Sequence, residues 1–119
     1  MGNFNQLLVW QKSVDFAASI YRCTRCFPKD EMSGLRLQLR RAAVSIASNL
    51  AEGQGRRTRD DYRRFVVQAR GSAFEIQTQI LICERLRYLD SQSANELRTT
   101  IDEIARMLNG LIAYLTPRA

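Results

Sequence analysis

The stretch ANELRTTIDEIARMLNGLIAYL, residues 94–115, decides the fold. Ala94, Leu97, Ile101, Ile104, Leu108, Leu111 and Leu115 follow one another at alternating spacings of three and four, the pattern of a single left-handed bundle seam on an amphipathic helix. Such a stripe needs other helices to cover it. Reading back along the chain, strand-type alternation is absent, no proline falls between Pro28 and Pro117, and three more segments repeat apolar residues every three to four positions. The spacing predicts helices at about 8–26, 33–53, 59–88 and 92–115. Pro28 closes the first, and Gly53 and Gly55 offer left-handed caps after the second. Thr58 with Asp61 has the spacing of a capping box for the third helix, and Asp90 or Ser91 can cap the fourth. Short connections make successive helices antiparallel neighbours, so the expected architecture is an all-α, up-down-up-down antiparallel four-helix bundle, one domain over residues 1–119.

The two middle helices carry more apolar surface than one bundle needs. At about 100° per residue, Leu35, Leu39, Ala42, Ile46 and Leu50 form a core face on the second helix, while Leu37, Val44 and Ala51, seven apart, form another stripe nearly opposite. On the third, Tyr62, Val66, Ala69, Ala73, Ile76 and Ile80 form the core face, and Val67, Phe74, Leu81 and Tyr88 repeat every seven residues on a second. Left alone, both second stripes would stand in water. A subunit interface through Leu37, Val44, Ala51, Val67, Phe74 and Leu81 is the expectation. The small residues Ala42, Ala43, Ala47, Ser48 and Ala51 are expected to let another helix approach closely.

Several function classes are disfavoured. No run of 18 apolar residues exists, so no membrane span is expected. The start MGNFNQ has neither the basic and apolar regions of an export signal nor the Ser/Thr of a myristoylation site, which points to the cytoplasm. Three cysteines suit a reducing compartment, and Cys23-Thr24-Arg25-Cys26 lies near a helix end, where the dipole does not favour thiolate. Zinc needs four ligands; the chain offers three thiols and no histidine. Neither a metal nor a cofactor is expected. Without histidine or a Gly-rich phosphate loop, a catalytic role is not expected either.

Charge is concentrated. The net charge is +6, and residues 34–70 hold nine arginines against Glu52, Asp60 and Asp61, so the whole excess lies in this third of the chain. Arginine pairs bidentately with phosphate or carboxylate. Arg40, Arg41, Arg56, Arg57, Arg59, Arg63 and Arg64 are therefore the candidate nucleic-acid contacts. Gln38, Ser45 and Asn49 sit at the margin of the second helix's core face with Glu52 just beyond, and Glu75 interrupts the third. Pairing of Glu52 or Glu75 with Arg40, Arg70 or Lys12 would satisfy them without a binding role.

Val9-Trp10-Gln11-Lys12, Phe27-Pro28, the run from Gln38 to Ala43, Ser45, and Asn49-Leu50-Ala51-Glu52-Gly53 followed by Gly55-Arg56 resemble the bacterial four-helix bundle proteins, also called 23S rRNA intervening-sequence or S23 ribosomal proteins. The resemblance runs from Leu8 to Leu115. It implies a ring-like homo-oligomer, typically a pentamer, with Trp10, Lys12, Ser45, Asn49, Glu52, Gly53 and Glu75 as motif residues, and it makes nucleic-acid binding the leading functional idea. Two readings follow. In one, the ring is a non-enzymatic accessory protein that binds RNA or DNA non-specifically through an arginine belt. In the other it is an interaction scaffold for an acidic protein partner.

Overall fold

The computed structural model describes residues 2–118, with side chains from Gln6 onward. Met1, Ala119 and the side chains of residues 1–5, on which most of the MGNFNQ reading falls, lie outside the described residues. Four helices follow in order: α1 (Gly2–Cys23), α2 (Leu35–Gln54), α3 (Arg59–Arg85) and α4 (Ser91–Leu115), with a 3-10 turn at Lys29–Glu31 between α1 and α2. Each helix packs on its chain neighbours and α4 closes against α1, with no diagonal pair of helices in contact among the described residues. The result is a square bundle measuring 47 × 24 × 23 Å.

The periodic residues do what their spacing requires. All seven seam residues of α4 are buried, joined by Val9, Phe16 and Ile20 of α1, Leu39, Ile46 and Leu50 of α2, and Val66, Ile76 and Ile80 of α3. Thr58 caps α3 by accepting the Asp61 N–H at 3.0 Å, and Asp90 caps α4 by accepting the Ser93 N–H at 2.7 Å. That second bond holds the Asp90 carboxyl below its ordinary pKa.

Helix ends depart from the expectation in three places. α1 begins at Gly2 and stops at Cys23, after which the buried Thr24 hydroxyl donates back to the Ile20 carbonyl at 2.7 Å. α3 stops at Arg85 instead of about 88, because Arg87 turns left-handed (φ 63°) and the Tyr88 N–H reaches the Cys83 carbonyl at 2.9 Å. This is the usual glycine-terminated helix end, built here with an arginine at the left-handed position, a strain of about 1 kcal/mol. Tyr88 secures the turn: its ring packs 5.3 Å from that of Phe27, and its hydroxyl donates to Glu31 at 2.9 Å.

Neither Gly53 nor Gly55 adopts a positive φ, so the left-handed caps expected there are not formed. Gly53 lies inside the last turn of α2, where a Cβ would stand 2.8 Å from Tyr62 Cδ1 and 2.9 Å from Phe65 Cβ. It is glycine because α3 comes too close for anything larger. Ala43 is corrected in the same sense: it is buried in the chain's own core, beside Ala42 of the expected core face, as are Ala69 and Ala73 of α3. Of the small residues expected to admit another helix, Ser48 and Ala51 are exposed and Ala47 is half-buried.

Candidate nucleic-acid interface

The α2–α3 connection gathers arginines at one end of the bundle. α2 runs out at Gln54, Gly55 turns the chain, and the Thr58 cap restarts it within four residues. Arg56 and Arg57 therefore fall in the connection, with Arg59, Arg63 and Arg64 in the first turns of α3. The start of α1 reaches the same end, where Gln54 donates to Gln6 at 2.9 Å, and so does the end of α4, whose Tyr114 carbonyl accepts from Arg59. A hollow of about 460 Å³ lies there between Arg59 and the segment Ala113–Arg118.

Most of these guanidinium groups have local partners. Arg56 pairs with Glu52 at 3.2 Å and lies 4.6 Å over the Phe65 ring. Arg59 covers the Tyr114 ring at 4.7 Å. Arg63 pairs with Asp60 at 3.2 Å and Arg64 with Asp61 at 3.0 Å. Exposed pairs between near neighbours on a helix are worth only ~0–1 kcal/mol, so a phosphate can compete for them. Among the described residues, Arg57 makes no ion pair or hydrogen bond. Five arginines meet Glu52, Asp60 and Asp61 at this end, which leaves it positive.

Arg40 and Arg41 are not part of this group. From Arg41 the helix runs on to Gln54, roughly 20 Å along the axis, before the connection that holds Arg56. Arg40 is also committed within the chain: Nε donates to Thr24 Oγ1 at 2.8 Å, Nη2 to the Tyr21 carbonyl at 3.1 Å, and the guanidinium lies 4.4 Å over the Tyr21 ring. It fastens α2 to the end of α1. Arg41 is exposed.

The polar motif residues join helices to one another, with different partners from those expected. Ser45 accepts from Asn49 at 3.0 Å and from Ser72 of α3 at 3.0 Å, and Asn49 also donates to the Ser45 carbonyl at 2.9 Å. Glu75 accepts from the buried Gln79 at 3.1 Å, whose amide also reaches Gln38 at 3.4 Å. Glu52 binds Arg56, Arg70 binds Asn109 at 3.0 Å and Lys12 binds Glu103 at 3.0 Å. Neither glutamate pairs with Arg40, Arg70 or Lys12, because those cations face α1 or α4 while Glu75 lies on the α2–α3 seam. Burial pushes the Cys83 thiol up to about 11 and raises Cys23 as well, the opposite of thiolate activation.

The proposed interface residues stand at the surface of the single chain. Val44, Ala51, Val67, Phe74 and Leu81 are exposed, and Leu37 is half-buried. α1 adds a run that the sequence reading left out: Leu7, Trp10, Val14 and Tyr21 are exposed too. The seven-residue spacing of Leu7, Val14 and Tyr21 was the available signal. Val9, Phe16 and Ile20, interleaved with it, mark α1's core face. No helix among the described residues is long and apolar enough to cross a membrane.

Comparison with known proteins places this geometry. The sequence profile of the 23S rRNA-intervening sequence protein family matches residues 5–110. Among solved structures, a protein of unknown function from the S23 ribosomal protein family of Bacteroides thetaiotaomicron superposes with a TM-score of 0.84 at 21% identity, covering 92% of this chain and 98% of its own. That likeness is one of fold. No curated protein matches the chain.

Proposed function

The chain belongs to the 23S rRNA-intervening sequence protein family, and from that premise we propose that it is a non-enzymatic cytoplasmic accessory protein, assembled as a ring-like homo-oligomer, that binds RNA or DNA through its arginine end. The observation that carries this reading is the convergence of Arg56, Arg57, Arg59, Arg63 and Arg64 on one end of the bundle, where Arg56, Arg63 and Arg64 are held only by local ion pairs that phosphate can displace. The ring we propose is a pentamer, the assembly that the family resemblance implies. Phe65 and Tyr114 at this end already lie under Arg56 and Arg59, so charge, and not base stacking, is the available recognition. Contacts of this kind position a backbone without reading its sequence. Repetition around a ring multiplies a weak site into an avid one.

Binding to unrelated RNA and DNA duplexes should fall steeply with salt, with a slope of about −0.9 per phosphate neutralised. Arg57→Glu and Arg64→Glu should weaken all sequences about equally while the helical circular dichroism is unchanged, since neither side chain is in the core. An intact oligomer that shifts no nucleic acid at about 50 mM salt would overturn the proposal. The arginines would then be better read as a dock for an acidic protein, as their present pairing with Glu52, Asp60 and Asp61 illustrates.

A further inference from the structure

The groove between α1 and α4 changes character along its length. Near its middle it is bridged by an ion pair, Lys12 with Glu103 at 3.0 Å. About two turns further on, toward the end opposite the arginines, Arg22 of α1 and Glu96 of α4 border the same groove and form no ion pair with each other. A hollow of about 160 Å³ lies there instead, lined from α1 by Phe16, Ser19 and Arg22 and from α4 by Glu96, Leu97 and Thr100. Ser19 and Thr100 are too short to close it.

The hollow has an apolar floor and a rim of two opposite charges. Phe16 and Leu97 are buried core residues that show one side to it. At the rim, Arg22 Nη2 donates to Ser19 Oγ at 3.3 Å, which steadies the guanidinium and leaves the Ser19 hydroxyl proton free to donate. Glu96 is uncommitted: among the described residues its carboxylate has no ion pair or hydrogen bond, whereas the neighbouring Arg98 is taken by Glu84 at 2.6 Å and by Asn95 at 2.6 Å. Both rim charges act on the adjacent Cys23: its thiol is pushed up chiefly by burial, drawn down by Arg22 and pushed up further by Glu96.

We propose that this hollow binds a free α-amino acid with an apolar side chain, its carboxylate on Arg22 and Ser19, its ammonium on Glu96, and its side chain over Phe16 and Leu97. This goes beyond the nucleic-acid reading and does not depend on it. Guanidinium with carboxylate and carboxylate with ammonium are the strong, charge-assisted pairings, and only a zwitterion makes both at once across the gap. The volume is close to the roughly 150 Å³ that accepts benzene in an apolar cavity, which suits a branched aliphatic or single-ring side chain. A nucleotide or a folded peptide segment is too large. A ligand with one charge would engage one side of the rim and leave the other in water.

L-Leucine is the probe, titrated into the full chain and followed by amide NMR. Signals of Ser19, Cys23, Leu97 and Thr100 should move together and saturate with a Kd on the order of 1 mM. Leucinamide, which lacks the carboxylate, and isocaproate, which lacks the amine, should each bind about tenfold or more weakly, the loss of one charge-assisted contact. Arg22→Gln and Glu96→Gln should weaken L-leucine by a similar factor, and Ser19→Leu, which fills the hollow, should abolish its binding. Arg22 and Glu96 are exposed, so their variants carry the test even where Ser19→Leu disturbs the helix. No saturable shift up to about 50 mM L-leucine, shifts confined to the arginine end, or undiminished binding by either analogue or either Gln variant overturns the proposal. Each of these outcomes leaves the nucleic-acid reading as it stands, since the arginines lie at the other end of the bundle.

Discussion

Adjacent residues of α3 are used in opposite ways: Ala73 is completely buried, while Phe74, much the larger apolar side chain, is 48% exposed. α2 repeats the contrast two residues apart, with Ile46 completely buried and Val44 42% exposed. Hydrophobicity and size therefore do not decide which residue enters this core. Direction around the helix decides, and at Gly53 α3 comes so close to α2 that no side chain fits.

The contrast is broken most forcefully at Ile46. Ile46→Ala should cost ~2–5 kcal/mol by chemical denaturation, and Val44→Ala should change the stability of the single chain by no more than ~0.5 kcal/mol. Equal effects would mean that the two faces are not distinct.

Glycines sharpen it. Gly53→Ala places a methyl group 2.8 Å from Tyr62 and 2.9 Å from Phe65, and overpacking of this kind costs ~1–3 kcal/mol. Gly110, inside α4, has nothing within 4 Å of the corresponding position, so Gly110→Ala should raise stability by up to ~1 kcal/mol through helix propensity. One substitution with opposite signs on two helices would show that backbone approach, not glycine itself, sets the cost.

The smallest effect belongs to neither face. Asp90 is held ionised by the Ser93 N–H, with its pKa below the ordinary value. Its contribution is complete above the unfolded pKa of about 4 and is lost as pH falls through the lower folded value. Asp90→Asn retains an acceptor for the cap but not the titration. Thermal melts of the two proteins should therefore diverge between neutral pH and about pH 3, with only the parent losing this part of its acid sensitivity.

Much of the fold was legible because period is a local property. The α4 seam, the core faces of α2 and α3, and the Thr58 and Asp90 caps all follow from residues within a few positions of one another. The start of α1 and its outer run were missed because Leu7, Val14 and Tyr21 interleave with core residues Val9, Phe16 and Ile20, so the segment reads as apolar on all sides. The end of α3 was missed because an arginine occupies the left-handed position where glycine is the usual signal. Five of the seven candidate arginines lie together at one end, since the connection that holds them is short. Arg40 was not, since its partners Tyr21 and Thr24 lie on another helix.

The sequence by itself determined that four helices form, roughly where they turn, and which side of each is apolar, because hydrophobic period and capping act over one or two turns. Only the tertiary structure decided what those sides meet. Gly53 looked like a cap and is a point of close approach; Ala43 looked like room for a neighbour and is core; Glu75 found its partner in Gln79 and Glu52 in Arg56 of the connection, neither of them among the cations expected to pair with them. Each of these outcomes depends on the distance and rotation between helices, which residues far apart in the chain set jointly when they pack.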